Sequence, residues 1–198
     1  MKISANHIET KYDLDYYVLF DFFSKDIYML PKPLLKTQDE IEEIARQFAI
    51  KYNFNYKTSW SLDSLVKKMN GNIITKPSKF SLIVHNENDF EIYQSSYSSL
   101  SYDKVTIAQA IGHYVLHYQN HIDIYPDGFV CKKNLSVHDK NELHLFQEVY
   151  WFQQELLLPR KEFIEFYTQH DINETAQEFS LAVRYIQMRA KSLGLIKE

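Results

Sequence analysis

Cysteine is nearly absent: Cys131 is the only one among 198 residues. This excludes an intramolecular disulfide framework and a thiolate zinc site. Glycine is also scarce, with 4 residues, and neither GxGxxG nor GxxxxGK(S/T) occurs, so a nucleotide cradled by a glycine-rich loop has no support. No apolar run reaches the ~18 residues of a membrane-spanning helix. The opening MKISANHIETKYDLDYY lacks the apolar core of a signal peptide, and the expectation is a soluble, cytoplasmic chain. An excess of basic residues is missing as well. Net charge is −4 with a pI near 6.1, which disfavours nucleic acid as a partner and leaves only a local basic patch open.

Aromatic residues are abundant: 15 Tyr and 13 Phe predict an aromatic-rich core. The length suits one compact domain able to bury such a core without staples. Residues 15–35 are strongly apolar and end in Pro31-Lys32-Pro33. They read as a strand or short helix on the core, with a partner-binding or dimerising arm as the alternative. Residues 1–36 are expected to form an N-terminal extension, residues 37–198 the domain, and 170–198 its closing helices.

Thr37-Gln38-Asp39-Glu40 has the form of a capping box. It opens a helix whose apolar residues Ile41, Ile44, Ala45, Phe48 and Ala49 fall at helical spacing. A second helix is predicted from Ser61 to Met69, stopped by Asn70-Gly71. Ile73-Ile74, Phe80 to Val84 and Phe90 to Tyr93 read as a small, mostly antiparallel sheet. A helix follows from Asp103 to Tyr118, then an irregular stretch to Lys140 with a turn at Pro126-Asp127-Gly128. A long helix spans Asn141 to Leu158 and stops at Pro159. A short helix over Arg160 to Tyr167 and two more after Asn173, the last ending at Gly194, complete an α+β chain.

Two of these helices carry the chemistry. In TIAQAIGHYVLH, Thr106 to His117, residues Gln109, His113 and His117 lie one turn apart on one stripe, opposite the apolar Ile107, Ile111 and Val115. In the later helix, Glu148 sits on the apolar face of Leu145, Val149, Phe152 and Leu156. A carboxylate there is costly unless a metal or a donor meets it, and His113 is the expected partner.

These stretches resemble the signature of the ImmA/IrrE family of zinc metallopeptidases. TIAQAIGHYVLH is similar to its T-L-A-H-E-L-G-H-Y-L-L-H helix, and EVYWFQQELLLP to its E-A-N-x-F-A-A-x-L-L-M-P helix. TAQEFSLAVRYIQMRAKSLGL is similar to its closing helices. Order and spacing agree from Ile41 to Leu195, leaving the first forty residues uncovered. The resemblance implies a zincin-like metallopeptidase domain.

That family uses an HExxH helix: two histidines bind zinc, the intervening Glu is the general base, and a downstream Glu is the third ligand. Carried over by position, the first zinc His is Gln109 here and the general base is Ala110. The second His is kept as His113 and the third ligand as Glu148. Loss of a positioned base alone removes about 10²–10⁴-fold in rate. The resemblance with these departures implies a catalytically degenerate, protein-binding regulator without cofactor. Its expected target is a helix-turn-helix repressor of a phage or mobile element, or a defence system.

The alternatives are an active zinc peptidase with rearranged ligands and a DNA-binding module. In the first, His113 and His117 have metal-ligand spacing, His121, His138 and His144 are further donors, and Glu155 or Glu142 is the substitute base. In the second, Arg184, Arg189 and Lys191 of the last helices contact phosphates. Cys131 stands beside two lysines that would lower its pKa, although an incidental thiol is the plainer reading. His7, His85 and His170 carry no motif.

Overall fold

The computed structural model describes residues 18–20, 27–29, 31–57, 62–133 and 138–197. The remainder of the apolar segment 15–35, together with His7, lies outside the described residues.

The elements follow the local signals closely. Helix α1 (Gln38–Lys51) is closed at its start by the Thr37/Glu40 capping box. Helix α2 (Leu62–Lys68) ends at Asn70, which has a positive φ of 63°. Ser99, an N-cap that the sequence reading passes over, starts α3 (Leu100–Gly112) ahead of its expected origin, accepting from the backbone N–H of Tyr102. Helix α4 (Lys140–Leu157) is capped by Asp139 and stops before Pro159. Then come α5 (Arg160–Tyr167), α6 (Ile172–Glu178) with a capping box of Asp171 and Glu174, and α7 (Val183–Ser192). Gly194, at φ 70°, supplies the left-handed residue after α7 that a side chain would adopt only under strain.

The sheet has the order β1-β2-β6-β4-β5-β3. Its body consists of β3 (Gly71–Thr75), β4 (Phe80–Asn86), β5 (Asp89–Gln94) and β6 (Phe129–Lys132). Strands β1 (Val18–Phe20) and β2 (Ile27–Met29) pair antiparallel and join β6 in parallel through Met29 and Phe129. The expected mostly antiparallel sheet is therefore mixed. β4 is antiparallel to both β5 and β6, but β3 runs parallel to β5. Two successive reversals, β3 to β4 and β4 to β5, leave β3 and β5 pointing the same way. β6 lies inside the stretch expected to be irregular; its short run Phe129-Val130-Cys131 is buried through long-range pairing with β4. Burial also corrects the reading of Cys131, whose thiol is pushed well above its ordinary pKa and is not activated by its lysine neighbours.

The core lies between the sheet and α1, α3 and α4. A column of rings, Phe90–Tyr114–Tyr118–Phe129–Tyr125, joins sheet to helix with centroid separations of 4.3, 5.5, 5.7 and 5.4 Å. Gly112 lets α3 approach α4: a Cβ there would lie 3.2 Å from the Phe152 ring.

At the far end of α4 sits a buried ion network. Arg189 is 0 % exposed. It donates to Glu42 at 2.8 Å, to the Leu158 carbonyl at 3.0 Å, and to Glu155. Glu42 Oε2 lies 2.6 Å from an Arg160 nitrogen, an ion pair not aligned as a hydrogen bond. Arg46 reaches Glu155 at 3.1 Å. Arg189 thus locks α7 to α1 and α4 and is not available to a phosphate backbone, which corrects its assignment as a DNA contact.

Removing one member of such a network strands the others without water. Arg189→Ala is expected to cost about 3–5 kcal/mol in urea unfolding. Arg184→Ala, at an exposed position of the same helix, should stay within about 0.5 kcal/mol. Equal effects would contradict the assignment of Arg189 as the clamp.

Candidate functional site

The polar stripe expected on α3 begins as an α-helix and then changes winding. From His113 to Tyr118 the chain is π-helical, and the N–H of Gln119 donates to the carbonyl of Tyr114, five residues back. The wider turn moves the later side chains off the α-helical track. Such turns are over-represented at functional sites.

His117, 0 % exposed, places Nε2 2.9 Å from Glu148 Oε2. Its other nitrogen, Nδ1, is 3.0 Å from His113 Nδ1. The expected His113–Glu148 pair is thereby corrected: Glu148 meets His117, and His113 stands behind it. The carboxylate also accepts from the backbone N–H of Leu34 at 3.0 Å and of Lys36 at 3.2 Å. The physical reasons are the change in helical winding and the return of residues 31–36 over α4. Lys32 strengthens that return by donating its N–H to the Tyr125 hydroxyl at 2.9 Å.

Hydrogen-bond roles along this chain follow from its ends. Burial pushes Glu148 up, but the His117 hydrogen bond and the two backbone donors outweigh it and hold the carboxyl below its ordinary value. An ionised acceptor requires a proton on His117 Nε2. In neutral His117, Nδ1 is then the acceptor, so His113 must donate from Nδ1 and keep Nε2 unprotonated. His113 lines a cleft of about 670 Å³ together with Gln109, Thr106 and Val149.

Burial, with the neighbouring His117, drives the His113 pKa well down. Burial also lowers that of His117, against the opposing pull of Glu148. Both rings are neutral in the fold.

The other candidates fall elsewhere. Ala110 is fully buried in the core and does not line the cleft. His121 donates from Nδ1 to the His117 carbonyl, 3.1 Å away. His138 and His144 are exposed, outside the buried His–His–Glu chain, as are His85 and His170. Glu142 pairs with Lys132 at 3.1 Å. Glu155 belongs to the Arg189 network and is corrected as a substitute base: it lies two turns, ~10.5 Å, along α4 from Glu148.

As a metal centre the donors do not fit. His117 turns one ring nitrogen to His113 and the opposite one to Glu148, so the two imidazoles and the carboxylate do not converge on a point. Among the described residues no group of three or more His, Cys, Asp or Glu is arranged to hold an ion.

Sequence reading missed the rest of the cleft: Lys79, Lys132, Lys133, Tyr93, Tyr102 and Phe146. They come from β5, β6, α3, α4 and the residues flanking β4 and β6, and form no motif along the chain. No protein-family model matches the sequence, and a search of curated proteins returns no match.

The neutral histidines fix a pH dependence. The unfolded chain takes up protons below about pH 6.5, whereas the folded rings resist them. Stability is therefore full above that pH and falls as pH drops, by up to about 1.4 kcal/mol per unit for each ring. Thermal melts from pH 7.5 to 5 should show this decline, with a shallower slope in His113→Gln. Glu148 adds a separate loss only below the ordinary carboxylate value of 4.5.

Proposed function

We propose that the chain is a catalytically degenerate, zincin-like protein of the ImmA/IrrE type that regulates another protein by binding it, without proteolysis. The observation that carries this reading is the state of Glu148. At the position of the family's third zinc ligand, the carboxylate accepts from His117 and two backbone N–H groups. Ala110 and Gln109 at the base and first-ligand positions support it. An amide is a weak zinc donor beside imidazole, and a methyl group cannot take a proton from water.

A domain that has shed its chemistry can keep its cleft and the surface around it. The proposed target, by analogy with the resembled family, is a cytoplasmic helix-turn-helix repressor of a phage or mobile element, or a component of a defence system. Sequestration would require only a fitting interface, and neither zinc nor another cofactor.

Elemental mass spectrometry on the untagged protein and on His113→Ala should find well under one zinc per chain in both. Co-expression with candidate repressors should yield a stable complex with the repressor intact. One zinc per chain lost in His113→Ala, with chelator-sensitive cleavage, would instead establish a peptidase with rearranged ligands.

A further inference from the structure

We propose that the cleft beside His113 binds an acidic segment of the partner, Asp or Glu side chains flanked by apolar ones. The inference rests on the protein-binding reading above and names the chemistry of its target. Three lysines, Lys79, Lys132 and Lys133, line the cleft, and among the described lining residues there is no carboxylate. The chain as a whole carries a net charge of −4, so this cluster stands against the charge of its background.

The fold places the lysines together. Phe80 on β4 is registered with Lys132 on β6. The N–H of Lys133 donates to the carbonyl of Lys79 at 3.0 Å, so the two residues face each other across the ends of the two strands. Glu142 neutralises Lys132. Lys79 lies 5.0 Å over the Phe80 ring centroid, and among the described residues no carboxylate forms an ion pair with it. Lys79 and Lys133 are both exposed.

The remaining lining suits a peptide. Ser78, Ser95 and Thr106 bring hydroxyls. Ser78 Oγ accepts from the Phe80 N–H and keeps its own proton to donate. The unprotonated Nε2 of His113 is an acceptor for a peptide N–H. Tyr102 and Phe146 line the same cleft while 48 % and 42 % exposed, offering aromatic anchors for the apolar flanks. A nucleic acid would extend its phosphates beyond the lysines onto an acidic protein, whereas a short acidic segment confines its charge to the cleft.

The test uses the full chain and a fluorescein-labelled peptide of Glu, Asp and Leu, beside a counterpart with Lys for each acid. Fluorescence anisotropy should show the acidic peptide bound at least about tenfold tighter. Lys79→Glu with Lys133→Glu should weaken it by about tenfold or more. Lys67→Glu with Lys191→Glu, the same charge change at exposed sites outside the cleft, should change it by less than about threefold. Phe146→Ala should weaken it by several-fold, with unchanged melting of all variants. Absence of binding, or equal loss in the two double variants, overturns the cleft assignment and leaves the regulator reading to another surface. Cleavage of the peptide by mass overturns the non-catalytic reading and leaves the cleft assignment standing. An oligothymidylate competing as well as the acidic peptide overturns the choice of a protein ligand.

Discussion

The Glu148 carboxylate is the point on which this end of the molecule depends. An ionised carboxylate, 1 % exposed, is expensive to bury. The cost is offset by three hydrogen bonds from two distant parts of the fold: His117 from the π-helical turn, and the N–H groups of Leu34 and Lys36 from the segment entering α1. Helix α4 is thereby tied to α3 and to residues 31–36. The same bonds orient His117, and through it His113. Positioning and charge neutralisation are one arrangement.

A second buried charge site, around Arg189, clamps the C-terminal end of α4. Between the two, Val149 and Phe152 pack against Gly112 of α3. Helix α4 thus carries one polar anchor at its centre, Glu148, and another near its C-terminal end, Glu155, with apolar contacts between them. Buried ion pairs of this kind contribute modestly to net stability but fix one arrangement over its competitors, because any slippage leaves a charge unpaired.

The cleft is lined by three lysines, Gln109 and His113, with no carboxylate among its described lining residues. Its histidine is neutral and backed by a second histidine and a carboxylate, and its cations are held at the strand ends. Donors that would have to converge on a metal are instead spent on one another. The proposed regulator rests on this redistribution, and its proposed acidic ligand on the lysines of the cleft.

Local signals in the sequence determined most of the secondary structure. The Thr37 capping box, the Asn70-Gly71 stop, the Pro159 break and the Gly194 cap are all short-range effects of backbone sterics and hydrogen bonding. The α+β class was legible from the same local signals, and so was the need of Glu148, a carboxylate on an apolar helix face, for a partner. Tertiary structure alone decided which partners. A π-helical turn has no signature in composition, and β6 is a strand because β4 lies beside it rather than because Phe129-Val130-Cys131-Lys132 is long or alternating. Leu34 and Lys36 reach Glu148 through backbone atoms, which carry no side-chain identity to read. Lys79 and Lys133, 54 positions apart, become neighbours only through strand pairing. Contacts between distant segments depend on how the whole chain closes, and that is set by the packing of the complete core rather than by any window of sequence.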